Sequence, residues 1–200
     1  MTKFLLIRHA TTDSVGIRLS GRLAGVNLNE AGIQQAQKLA GQFSGTSIAA
    51  VYSSPLERAV QTAEAISNVL GIQTTVCEDF LEINFGAWTN LTFKELENEP
   101  LFKQFNAFRS FTRIPQGETM MEAQLRIIRG MEKLCSRHPH ETVVIVSHSD
   151  LIKATIAYYS GIPLDMFQRI EISPASVSII KAGSDYASVE LVNYTAALKL

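Results

Sequence analysis

Arg8 and His9 directly follow the apolar run Phe4-Leu5-Leu6-Ile7 and lead into Ala10-Thr11-Thr12. A neutral imidazole nitrogen is a good nucleophile towards phosphorus, and a guanidinium binds phosphate oxygens through a planar fork of donors. An Arg-His pair at a strand end can therefore hold a phosphate and attack it. The dipeptide alone is a weak signal, and three further segments strengthen it. Arg58 lies in the opening turn of a helix announced by Ser54-Pro55, and His148 ends the apolar run Val143–Val146. Transfer to histidine also requires a proton for the leaving alcohol oxygen. Glu82, within Leu81-Glu82-Ile83-Asn84-Phe85-Gly86-Ala87-Trp88, is placed to donate it and later to take one from water.

The elements that must hold these groups alternate between strand and helix. Phe4 to Ile7 is a short continuous apolar run, the mark of a strand buried on both faces. Asn29 to Phe43 reads as a helix with Asn29 as its N-cap, and Ala49 to Tyr52 as a strand. Ser54 is expected as an N-cap, with Pro55 at the first helical position and Glu57 completing a capping box. That helix should run to Leu70 and stop at Gly71. Thr74 to Cys77 is a short strand, and Thr119 with Glu122 opens a helix ending near Cys135. Thr142 to Val146 is a strand, followed by a helix from Ser149 to Tyr159 that Gly161 and Pro163 close. In the last forty residues Phe167–Ile172, Val177–Ile180 and Val189–Val192 are expected as strands, joined by a Gly183-Ser184-Asp185 turn. Leu191 to Leu200 reads as a strand followed by a loose tail.

The implied fold is α/β: a three-layer α/β/α sandwich around a mostly parallel sheet with an antiparallel edge, in a single domain spanning 1–200. Ligands of such sheets sit beyond the carboxyl ends of the strands. If the three phosphate-suited strands are neighbours, two arginines and two histidines meet in one crevice. A small helical cap at about 91–117 carries Phe93, Phe102, Phe105, Phe108 and Phe111. These are expected to form a satellite core, with Arg109 and Arg113 either holding a second anionic group or solvated.

Composition excludes several classes. The chain of 200 residues is 46% hydrophobic and 18% charged, which suits one folded core. A net charge of −1 gives no global field for nucleic acid or an anionic membrane, so any anion must be bound by local clusters. Cys77 and Cys135 have neither metal-ligand nor disulfide spacing and are expected as reduced apolar fillers. The start is too short for a signal peptide and no run approaches membrane-spanning length, so the expectation is a cytoplasmic protein.

Taken in order, these blocks resemble the histidine phosphatase superfamily, the phosphoglycerate mutase-like branch 1, and its shorter phosphatase members in particular. The resemblance rests on Arg8-His9-Ala10-Thr11-Thr12, Gly21-Arg22, Leu28-Asn29-Glu30-Ala31-Gly32, Ser53-Ser54-Pro55-Leu56-Glu57-Arg58-Ala59, Glu82 with Phe85-Gly86 and Trp88, Gly117-Glu118-Thr119, and Val146-Ser147-His148. It implies that His9 becomes a phosphohistidine, that Arg8, Arg58 and His148 neutralise the phosphoryl oxygens, and that Glu82 is proton donor and then base. Thr12, Gly21 and Arg22 would line the substrate pocket. It implies no metal and no cofactor. Three positions depart from the pattern. Ala10 stands where glycine is usual, Val15 where many mutases carry a phosphate-binding asparagine, and Ser149-Asp150 replaces a small pair. Ser149 reads as an N-cap or as a further substrate contact, the cap being preferred, and Asp150 as a first-turn acid favoured by the helix dipole. His138 and His140 fall outside the blocks and read as solvated.

The function expected is metal-independent hydrolysis of a small phosphorylated metabolite through a phosphohistidine. The alternatives are phosphoglycerate mutase-type transfer and a non-catalytic module that binds a phospho-ligand. Two features favour hydrolysis over transfer: the short cap admits water, and Val15 is a poor phosphate ligand. The terminal strands offer an edge that could pair in a homodimer.

Overall fold

A computed structural model of the chain describes residues 1–195. Its centre is a six-stranded sheet in the order β3-β2-β4-β1-β5-β6. The strands are β1 (Thr2–Arg8), β2 (Ala50–Ser53), β3 (Thr74–Val76), β4 (Thr142–Ser147), β5 (Val177–Ala182) and β6 (Ala187–Tyr194). The first four run parallel, and β5 and β6 are antiparallel additions at one side. The helices are α1 (Glu30–Gly41), α2 (Glu57–Leu70), α3 (Phe93–Leu96), α4 (Pro100–Ala107), α5 (Met120–Arg137) and α6 (Ser149–Ser160).

The continuous apolar runs of β1 and β4 are explained by burial on both faces. Phe4, Leu6, Val143 and Ile145 pack with α5, α6 and the cap. Ile7, Val144 and Val146 pack with α1 and α2 on the other face. This is the expected three-layer sandwich. Among the described residues no helix is long and apolar enough to cross a membrane.

Register aligns the ends of the three central strands. Arg8 lies opposite Ser147, and the His9 amide donates to the Ser147 carbonyl at 3.0 Å. Ser53 lies opposite Val146, and the Ser54 amide donates to the Val146 carbonyl at 2.9 Å. His9, Ser54 and His148 therefore emerge side by side. Gly32 lets α1 press on the first of these loops, because a Cβ there would collide with the Thr11 carbonyl.

Several local expectations hold. Asn29 caps α1, and its side chain accepts from the Gly32 amide. Thr119 and Glu122 form the capping box of α5. Gly71 and Gly161 close α2 and α6 in the left-handed conformation. Others are corrected. The Ser54–Glu57 capping box does not form: α2 begins at Glu57, with Leu56 before it and no side-chain cap. Tertiary partners take both groups, the Ser54 hydroxyl meeting His148 and the Glu57 carboxylate accepting from the Gly25 amide. Ser149 is likewise not a cap, since His148 occupies that position with extended backbone and Ser149 is the first helical residue.

Phe167–Ile172 is not a strand; Leu164–Arg169 forms a 3-10 turn. The turn, entered from Pro163, buries Phe167 and is tied to the cap by Asp165, which accepts from the Ser110 amide and hydroxyl. The phenylalanines of the cap make no separate core. Phe105 is fully buried in the main cluster and Phe102 packs on it, whereas Phe108 and Phe111 are exposed. Trp88 stands edge-on to Phe102 and Phe105 at 5.4 and 5.5 Å and ties the Glu82 loop to α4. His138 is not solvated: its ring joins the Tyr52 hydroxyl at 2.9 Å and the Glu141 carboxylate at 2.8 Å. The strand expected from Leu191 ends at Tyr194, and the tail at 196–200 lies outside the described residues.

Candidate active site

The site is a cleft of about 130 Å³ at the carboxyl ends of β1, β2 and β4, with Arg8, His9, Thr12, Gly21, Arg58 and Glu82 in its wall. Val15, Leu19, Phe85 and Phe93 add an apolar side, and Asp150 adds a second carboxylate.

Hydrogen bonds determine the form of His9. Its Nε2 lies 3.3 Å from Arg58 Nε, and its Nδ1 lies 2.8 Å from the Ala10 carbonyl. A guanidinium can only donate, so Nε2 accepts and the ring proton sits on Nδ1. The nitrogen with the lone pair thus faces the guanidinium that would hold a phosphate. Burial, and next the charge of Arg58, push the His9 pKa down to about 3. The ring is neutral throughout the physiological range, as a nucleophile requires.

His148 is fully buried, its ring 5.2 Å from that of His9. Nδ1 accepts from Arg58 Nη2 at 3.4 Å, which assigns the proton to Nε2, donated to Ser54 Oγ at 2.8 Å. Burial and then Arg58 hold His148 well below the usual histidine range. An arriving phosphate dianion supplies the opposite charge and favours the imidazolium that would grip it.

Arg58 is almost fully buried. One Nη2 proton goes to the Gly21 carbonyl at 2.7 Å, and Nη1 has no partner among the described residues. Arg8 donates from Nη1 to the Ile172 carbonyl at 2.7 Å, and its buried Nε also lacks a partner. Two buried guanidinium donors without acceptors, beside a neutral imidazole, form a site suited to a phosphoryl group.

Glu82 completes the set. Its Oε1 accepts from the Ile83 amide at 3.0 Å, and Oε2 lies 3.8 Å from His148 Nδ1. Burial first, and the charge of Asp150 second, raise its pKa to about 7, against the opposing pull of Arg58 and Arg8. With His148 neutral and Glu82 close to half protonated, this contact is not a standing ion pair. A carboxyl group near pH 7 can both give and take a proton.

The Glu82 loop is held from below. Arg22 donates to the Glu82 carbonyl and to Glu118, both at 2.8 Å. Glu118 also accepts from the Asn84 amide at 2.9 Å and from Arg126 at 3.2 Å. Gly86, at φ +45°, allows the close approach of residues 115–117, where a Cβ would strike the Pro115 carbonyl.

A model of the histidine phosphatase superfamily (branch 1) matches residues 4–195. The chain belongs to the histidine phosphatase superfamily. It is 37% identical over 202 residues to the bifunctional protein Rv2228c of Mycobacterium tuberculosis, covering 98% of this chain but only 55% of that protein. The chain thus spans about half the length of that relative. It is 28% identical to phosphoserine phosphatase 1 of Hydrogenobacter thermophilus, over 90% of this chain and 86% of the relative. A mutant phosphoserine phosphatase of Entamoeba histolytica, solved in complex with phosphoserine, superposes with a TM-score of 0.89 at 27% identity, covering 100% of both chains. Family and relatives together make this a phosphatase-type enzyme domain.

The histidine phosphatase domain brings together Arg8, His9, Arg58, Glu82 and His148, with Thr12 and Gly21 in the cleft wall. Arg22 turns its fork to the Glu82 loop instead, and Ser149 is not part of the wall. Two participants were not anticipated as such. Ser54 orients His148, and Arg109, neither solvated nor open to a ligand, is buried and paired with Asp150 at 3.0 Å. Arg113 is exposed and pairs with Glu122.

Ser54→Ala leaves a buried His148 N–H unpaired and frees the ring to change tautomer. The expected effects are about 1–3 kcal/mol lower stability and roughly tenfold lower kcat/KM, measured by denaturant melts and steady-state kinetics. Stability should also fall in acid. His9 and His148 have lowered folded pKa values, so the unfolded chain binds more protons once pH drops below the unfolded value of about 6.5. Each histidine then removes about 1.4 kcal/mol per pH unit. Thermal melts at about pH 7.5 and about pH 5 would show this loss, and equal melts would contradict it.

Proposed function

We propose that the domain is a metal-independent phosphomonoesterase acting on a small phosphorylated metabolite through a phosphohistidine at His9. The observation that carries this reading is the pairing of a neutral His9, its Nε2 lone pair beside Arg58, with orphaned buried donors on Arg8 and Arg58. In the first step the Nε2 lone pair of His9 attacks phosphorus and the ester P–O bond breaks. Protonated Glu82 delivers its proton to the leaving oxygen. In the second step carboxylate Glu82 takes a proton from water, whose oxygen attacks phosphorus as the P–N bond breaks. Arg8, Arg58 and His148 neutralise the oxygens throughout, so the chemistry rests on positioning and electrostatics.

The cleft volume of about 130 Å³ suits a small ester rather than a bulky one. Relatives that are phosphoserine phosphatases support a small phosphorylated metabolite as substrate. Val15 in the wall and the short cap support hydrolysis over mutase-type transfer, because water has access to the phosphoenzyme.

The test is phosphate release, in chelator, from a panel including p-nitrophenyl phosphate, phosphoserine, 3-phosphoglycerate, sugar phosphates and α-ribazole phosphate. Metal-independent release is the expected result. No release from any compound, with exchange of phosphate between glycerate positions after bisphosphate priming, would favour the mutase. Tight phosphate-ester binding without any turnover would leave a binding module.

A further inference from the structure

Asp150 is the one cleft carboxylate that the two-step reaction does not use. It stands in the first turn of α6, two residues beyond His148, and shares the cleft wall with Arg8, His9 and Glu82. Its position is fixed from behind by Arg109. Arg109 is 4% exposed, and its guanidinium sits over the rings of Phe105 and Phe167 at 4.2 and 4.9 Å. It donates from Nη2 to Asn106 at 2.6 Å.

The Arg109–Asp150 contact is single, not forked. Nη1 meets Oδ2 at 3.0 Å, while Oδ1 has no protein partner among the described residues and is not a buried orphan. A bidentate pair would occupy both carboxylate oxygens and cancel their charge from the side of the cleft. Here one oxygen is anchored to the cap and the other is uncommitted, on a residue that lines the cleft. Its charge already acts on Arg8 and Glu82. The cations at the cleft floor, Arg8 and Arg58, are engaged by the phosphoryl group in the reaction proposed above. Besides Glu82, the charged groups that remain for the leaving group are the Asp150 carboxylate and Arg18, whose Nη1 is already donated to Asn90 at 3.0 Å; Thr12, Ser14 and Ser20 add neutral polar groups, and Phe85 and Phe93 an apolar side.

We infer that Asp150, held by Arg109, is a specificity residue that selects phosphomonoesters whose leaving group carries an ammonium and disfavours those whose only charged group there is a carboxylate. The inference rests on the phosphatase reading of the same cleft. An ammonium near Oδ1 gains a charge-assisted hydrogen bond in a poorly solvated wall, and a carboxylate there meets like charge. This also separates the domain from a mutase, whose glycerate substrates bring a carboxylate into the site.

Three probes of nearly equal size test this: O-phosphoethanolamine, 2-hydroxyethyl phosphate and phosphoglycolate, with p-nitrophenyl phosphate as a general reporter. The wild-type order of kcat/KM is expected to be amine, hydroxyl, carboxylate, with about a hundredfold between the ends. In Asp150→Asn the amine-to-carboxylate ratio should fall by about tenfold or more, chiefly through KM, while Asp150→Glu keeps the amine preference. The ratio is taken on one preparation and does not depend on the folded fraction, so a partly destabilised variant still reports. An unchanged ratio, or equal losses on all three probes, would show that Asp150 only braces the cap. A wild-type preference for phosphoglycolate that disappears in Arg18→Gln would assign specificity to Arg18 instead. Either result overturns the inference and leaves the phosphatase reading intact. No release from any probe, p-nitrophenyl phosphate included, overturns both.

Discussion

His9→Ala is expected to reduce turnover by a factor on the order of 10⁴ or more. The substitution removes the atom that would form the bond to phosphorus, and nothing nearby replaces it. His148 is the other imidazole, but its Nδ1 faces Arg58 and its Nε2 is tied to Ser54. The anion site should survive: Arg58 loses the acceptor of its Nε, but Arg8 and Arg58 keep their backbone carbonyl partners and His148 keeps the Ser54 hydroxyl. The variant should therefore still bind inorganic phosphate while failing to release it from esters. Rapid-quench labelling adds an independent readout: an acid-labile, base-stable phosphoenzyme should form in the wild type and be missing in His9→Ala. Turnover that persists in the variant without a phosphoenzyme would replace the covalent route with direct attack by water.

Glu82→Gln should have the next largest effect, a kcat lower by about 10² to 10⁴ on alkyl phosphates. A glutamine fills the same space and still accepts from the Ile83 amide, but cannot deliver a proton. The loss should be much smaller on p-nitrophenyl phosphate, whose leaving group departs without protonation. The pH profile carries the sign. Phosphorylation of His9 needs protonated Glu82, so with a pKa of about 7 this step weakens as pH rises through 7. Hydrolysis of the phosphoenzyme needs the carboxylate and weakens as pH falls through the same range. His9 adds no limb near neutrality, since its pKa lies at about 3. In Glu82→Gln the limb near pH 7 should vanish. Equal losses on alkyl and nitrophenyl esters would remove Glu82 from the proton-donor role.

The same group makes a stability statement. A carboxyl whose folded pKa is raised binds its proton more tightly in the native state. Its contribution is full below the unfolded value near 4.5 and is lost as pH rises through the folded value near 7. Glu82→Gln should therefore melt higher than the wild type at alkaline pH, with the difference shrinking in acid. Buried catalytic carboxylates commonly show this opposition between stability and activity.

Much of the candidate site was legible because most of its residues lie at element boundaries with strong local signals. Arg8-His9 and His148 end continuous apolar runs, and such runs mark strands buried on both faces whatever surrounds them. The helices α1 and α5 were visible through caps that are local interactions, Asn29 with Gly32 and Thr119 with Glu122. The order of the motifs along the chain identified the family, and with it five residues that the fold brings together at the strand ends.

What the linear pattern could not decide were choices between two partners for one group. Ser54 and Glu57 have the spacing of a capping box, yet their oxygens go to His148 and Gly25, which parallel pairing and loop packing bring close from distant parts of the chain. Arg22 has the character of a phosphate ligand, but Glu118, far along the chain, claims it for the Glu82 loop. Phe167 looked like the start of a strand until the cap offered Ser110 to Asp165. The sequence by itself determined the sheet strands, most helix ends and the positions Arg8, His9, Arg58 and His148 at the ends of those elements, because each rests on local periodicity or a contiguous motif. The tertiary structure alone decided the tautomers of His9 and His148, the raised pKa of Glu82, and the half-committed carboxylate of Asp150. Those properties arise from burial and from hydrogen bonds between residues far apart in the chain, and only the packed sheet brings such residues within reach.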